Sequence, residues 1–101
     1  MMTDLTPCED CGALGPYESA YAKYGRPEDD RPLPPAAARL VTVCGWQTGG
    51  RGEELRRCAS CGAWFRWQLT YEFYVNGSEE EETLTRLSEE EAAGLRARLT
   101  R

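Results

Sequence analysis

The sequence predicts a single small α+β domain: an antiparallel β layer built around a long hairpin and finished by a C-terminal helix. Three observations carry that prediction. Residues 64–75 alternate apolar and polar side chains and run into Asn76-Gly77; Ser88-Glu89-Glu90-Glu91 opens a helix; and two Cys-x-x-Cys-Gly turns stand at residues 8–12 and 58–62. At 101 residues the chain fits one domain, spanning residues 1–101, and one of that size buries too little surface to be stable by a wide margin.

The hairpin is expected over residues 63–87. Phe65, Trp67, Leu69, Tyr71, Phe73 and Val75 fall on one side of a period-2 repeat, and Trp64, Arg66, Gln68, Thr70, Glu72 and Tyr74 on the other. That describes a strand about twelve residues long, against a usual five or six. Asn76-Gly77 suits a type I′ turn, whose two central residues both need φ > 0. A two-residue loop sets Leu69 opposite Leu84 and Trp67 opposite Arg86; a three-residue loop shifts that register.

The terminal helix is expected over residues 88–100. Ser88 and Glu91 have the spacing of a capping box, in which each side chain satisfies the other's backbone amide. The acidic first turn and Arg96, Arg98 and Arg101 near the other end both complement the helix dipole. Leu87 and Ala92 can staple the start, and Ala92, Leu95 and Leu99 form a narrow apolar stripe. Gly94 costs about 1 kcal/mol relative to alanine, so the helix depends on docking against the hairpin.

Residues 12–57 form a long insertion between the two cysteine turns. Tyr17, Tyr21 and Tyr24 lie at i, i+4 and i+7, which predicts a short helix after Pro16 with the tyrosines as core. Residues 25–35 combine charges with prolines and read as an exposed linker. Residues 40–43 read as a short strand ending at Cys44-Gly45-Trp46, and residues 47–52 as a turn. Residues 53–57 enter the second cysteine turn as a strand.

Cys8, Cys11, Cys58 and Cys61 are the candidate metal ligands. A tetrahedral ion such as Zn²⁺ takes four thiolates, and a pair spaced two apart lets one tight turn supply half the shell. Gly12 and Gly62 suit the φ > 0 backbone with which such turns end. Residues 1–7 lack the basic and apolar regions of a signal peptide, and no segment has the apolar length to span a bilayer, so a cytoplasmic location is expected. There, five cysteines read as four ligands and a spare, Cys44, rather than as disulfides. Cys44 itself reads as a buried apolar residue at a strand end.

With these two turns the chain resembles the zinc-ribbon superfamily, in which two such knuckles clamp one zinc between β-hairpins. The resemblance covers the knuckles and the strand after the second, about a third of the chain, and implies a zinc-ribbon-like domain with a structural metal and a binding role. Rubredoxins also hold one iron in paired Cys-x-x-Cys-Gly turns. Ala59 stands where their second knuckle usually has proline, and the chain is about twice as long, so iron-based electron transfer is the lesser alternative.

Catalysis is not expected. The chain has no histidine, the usual general base and catalytic-zinc ligand, and four thiolates leave no open metal position. The formal charge is −5, and four thiolates with one Zn²⁺ would make it −7, which disfavours nucleic acid. Arg51, Arg56, Arg57 and Arg66 are the one local basic excess near a knuckle, read as solvated or paired with glutamates. The acidic residues Glu79, Glu80, Glu81 and Glu82 read as a charged edge strand or as a face for a basic protein, with Trp64 and Tyr74 as aromatic anchors. The expected function is protein–protein recognition by a non-enzymatic structural-zinc protein, such as an acidic inhibitor or immunity-type protein; a nucleic-acid- or polymerase-associated zinc ribbon is the alternative.

Overall fold

The apolar alternation after the second cysteine turn becomes the centre of a five-stranded antiparallel sheet. The computed structural model describes residues 11–12, 14–23, 30–73, 75 and 77–100. Its strands are β1 (Tyr17–Lys23), β2 (Leu40–Thr48), β3 (Arg51–Cys58), β4 (Trp64–Glu72) and β5 (Glu79–Leu87), followed by helix α1 (Glu89–Leu99). Their order across the sheet is β1-β5-β4-β3-β2, every neighbouring pair antiparallel. The α+β class and the C-terminal helix are thus as expected.

Pairing assigns the side chains to two faces. On one, Phe65, Trp67, Leu69 and Leu84 are buried beneath Leu14, Ala36 and Ala37, with Cys11 and Cys58 in the same cluster. Ala36 and Ala37 are held there by a 3-10 turn, Pro35–Arg39, whose leading prolines preset φ. On the other face α1 lays Ala92 and Leu95 on Leu55, with Cys44, Trp64 and Leu87 around them. The capping box forms as read: Ser88 Oγ accepts from the Glu91 amide at 3.1 Å, and Glu91 Oε1 from the Ser88 amide at 2.8 Å.

Several expectations are corrected. Tyr17 and Tyr21 lie on a strand, not a helix, because a spacing of four satisfies period 2 as well as period 3.6; pairing with β5 decides between them. Tyr24, whose odd spacing alone separated the two, lies outside the described residues. β2 runs through Cys44, Gly45 and Trp46 to Thr48, so the turn shrinks to Gly49-Gly50, both at positive φ (59° and 80°) as a type I′ turn requires.

The hairpin register, left open between two loop lengths, is displaced by two residues from that of the two-residue loop. Trp67 faces Leu84 and Leu69 faces Glu82, and the last pair is Glu72 with Glu79. A shift of two keeps every side chain on its face, so alternation cannot detect it. Across the observed pairing Trp67 Nε1 donates to Glu82 Oε2 at 2.7 Å, while Lys23 Nζ on Glu79 Oε2 at 2.8 Å ties β1 to the other side of β5. β4 also ends at Glu72, short of Val75. Phe73 and Val75 are 78% and 102% exposed, because β3–β4 pairing ends at Gly52 and Leu69 and, among the described residues, no layer extends further to bury them.

The acidic strand β5 is interior, flanked by β1 and β4, so residues 79–82 do not guard an edge. Of the expected linker, residues 25–29 lie outside the described residues and Asp30, Arg31 and Pro32 are exposed, whereas Leu33 packs against the core.

Candidate metal centre

The second cysteine turn grows out of the end of β3. Cys58, the last residue of that strand, donates its amide to the Ala63 carbonyl at 2.9 Å and accepts from the Gly62 amide at 2.9 Å, folding residues 59–62 into a closed turn. Gly62 takes φ of 81°, the conformation anticipated for the residue after the second ligand. At the first turn the Leu14 amide donates to the Cys11 carbonyl at 3.0 Å, which directs the chain back under the sheet.

These turns bring together thiols far apart in sequence. The Sγ atoms of Cys11, Cys58 and Cys61 all lie within 4.8 Å of one another, with Cys11 and Cys61 at 3.4 Å. Thiolates 2.3 Å from a tetrahedral ion stand about 3.8 Å apart, so three corners of such a shell fit this spacing. Cys11 and Cys58 are each 1% exposed, whereas Cys61 faces solvent. An all-sulfur donor set favours Zn²⁺, iron or Cu(I) over hard cations. Cys8, the fourth candidate, lies outside the described residues. Cys44 is not a member of this group: it is half-buried in mid-β2, in the cluster under α1.

The proposed recognition residues are not gathered on one surface. Strand periodicity sends Glu80 and Glu82 to the face of Trp67 and Leu84, and Glu79 and Glu81 to the opposite face. Glu79 is engaged by Lys23, which holds its carboxyl below the usual carboxylate range. Glu80 and Glu82 border a cleft of ≈ 310 Å³ shared with Asp30 and Arg31. Trp64 is half-buried against the helix; Arg57 stacks 4.8 Å over its ring, and its Nε1 donates to Glu89 Oε2 at 3.2 Å. Tyr74 lies outside the described residues.

Three of the arginines near the knuckle, Arg56, Arg57 and Arg66, are also engaged. Arg56 bonds Glu54 at 2.9 Å and lies 4.5 Å over Trp67, and Arg66 bonds Glu53. Glu53 was not singled out from the sequence. It is 7% exposed, yet accepts from both Arg66 and Arg98. The Arg98 hydrogen bonds, opposed by burial and joined by those of Arg66, hold its carboxyl below the ordinary range. A glutamate beside many others gave no signal; only the arrival of Arg98 from α1 marks it.

The chain matches no protein-family model, no curated protein and no solved structure. No helix among the described residues is long and apolar enough to cross a membrane.

Proposed function

We propose that this is a non-enzymatic, zinc-ribbon-like protein of the cytoplasm, in which Cys8, Cys11, Cys58 and Cys61 hold a structural Zn²⁺ and the sheet presents acidic side chains to a basic protein. The observation that carries the metal reading is the convergence of Cys11, Cys58 and Cys61 within 4.8 Å. A bound ion would tie the start of the chain to the turn between β3 and β4, as structural zinc ties distant segments in other small domains. Its role is to hold the fold; the sulfur-only shell gives it no open position at which to act on a substrate.

Charge supports the recognition reading. The chain carries 17 acidic against 12 basic residues, and Arg56 and Arg66 are taken up by internal ion pairs. Complementary charge speeds encounter with a basic partner and narrows partner choice. The test is affinity purification from the native cell with the wild type, a Glu80/Glu81 charge reversal and an Arg51/Arg57 charge reversal, with metal content measured in each preparation. A retained basic protein, lost only with the glutamate change, is expected. Loss with the arginine change alone would remove the acidic-surface reading. A red, zinc-free, iron-bearing protein would replace it with electron transfer.

A further inference from the structure

The two edges of the sheet are finished differently. Along β1, Arg31 exchanges both backbone hydrogen bonds with Tyr21, at 2.9 and 2.7 Å, and the strand carries Glu18 and Lys23. Along β2, no described residue pairs with the outer edge. β2 is 9 residues long and contains no Asp, Glu, Lys, Arg or Pro. It exposes Val41, Val43 and Trp46 by 52%, 36% and 46%. Natural sheets blunt their edges with charge, proline or shortness, because unpaired N–H and C=O groups template another strand. β2 has one such device, the register break at Val43, and beyond it residues 44–48 pair regularly with β3.

We propose that β2 pairs antiparallel with β2 of a second copy about a two-fold axis, joining two five-stranded sheets into one. Charge selects the occupant. β1, β3, β4 and β5 all carry charged side chains, and a charged strand would find no complement along β2. β2 against itself opposes uncharged side chains throughout, and a two-fold contact needs only one self-complementary surface. The added strand would also cover part of Val41, Val43 and Trp46. One strand seam falls below the roughly 1,200 Å² of a standard interface, so the dimer is weak and concentration-dependent. It contains no ion pair, and each copy is acidic, −5 without metal and −7 with the proposed zinc, so added salt strengthens it by screening repulsion.

Sedimentation equilibrium of the full chain from about 10 to about 500 µM tests this, a range suited to micromolar association. The weight-average mass is expected to rise from 11.3 kDa towards twice that value, more steeply at high salt. Val43→Lys, at an exposed position, is expected to weaken association at least about tenfold while leaving the melting curve unchanged. Amide exchange within residues 44–48 of the wild type is expected to slow as concentration rises. A mass fixed at 11.3 kDa overturns the proposal. So does association that survives Val43→Lys, which would place the contact elsewhere. Concentration-independent protection of residues 44–48 also overturns it, since the edge would then be covered by the chain's own segment.

Discussion

Arg98, in the last turn of α1, grips Glu53 of β3 through two parallel hydrogen bonds, Nη1 to Oε1 at 2.9 Å and Nη2 to Oε2 at 2.6 Å. Arg66 Nε adds a third at 2.7 Å, so one buried carboxylate joins the helix end to two strands. Glu53→Gln keeps the shape and leaves both guanidinium groups without their anion; it is expected to cost about 1–3 kcal/mol in urea unfolding. The pH dependence has a definite sign. The folded carboxyl is held below its unfolded value, so its stabilisation is complete above an unfolded pKa of about 4.3 and is lost as pH falls through the folded pKa. The acid limb of the stability curve should be shallower in Glu53→Gln; an unchanged limb would dissociate Glu53 from acid unfolding.

Removing a proposed ligand should act on metal and fold together. Cys58 is 1% exposed and shares the cluster of Phe65 and Leu84. Cys58→Ser is expected to lower zinc per chain and the melting temperature, and a strong chelator should shift the wild type towards the same curve. Cys44→Ser is the contrast: its side chain lies under α1 with Leu55 and Leu95. That change should alter melting modestly and leave zinc per chain unchanged. Elemental analysis of the two variants separates the sites.

The turn at Gly62 depends on a backbone conformation that side chains resist. With φ at 81°, Gly62→Ala incurs roughly 1–2 kcal/mol of strain, and its new Cβ would meet the Arg57 guanidinium at 3.2 Å. Weaker zinc retention in competition with a chromophoric chelator is expected. Equal retention would show that the turn can be rebuilt without the glycine.

Ser88 controls the helix from its first turn. Ser88→Ala removes the side-chain bond to the Glu91 amide and is expected to cost about 1 kcal/mol. Trp64, whose Nε1 donates to Glu89 in that same turn, should report the loosening through its fluorescence.

What could be read from the residues was whatever depends on near neighbours in sequence. Ser88 and Glu91 stand three apart, and their reciprocal bonds form wherever a helix begins there. The cysteine turns were legible for the same reason: Cys58, Cys61 and Gly62 fix a local loop. The alternation of Phe65, Trp67 and Leu69 gave both the strand and its buried face. Past Glu72 the same alternation misled, because Phe73 and Val75 keep the pattern where no described layer lies over them. Tyr17 and Tyr21 fit a helix and a strand equally until β5 was there to pair with.

By itself, then, the sequence determined the α+β class, the turn after β3 and the capped helix, all set by spacings of a few residues. Tertiary structure decided which strands are neighbours, and much followed. It placed acidic β5 in the interior and uncharged β2 at an edge, moved the hairpin register by two, and converged Cys11 on Cys58 and Cys61. It also made Glu53 a junction by bringing Arg98 to it. Those outcomes rest on contacts between residues tens of positions apart, where period-2 patterns leave even-numbered shifts and strand order degenerate, and only packing and charge pairing break the tie.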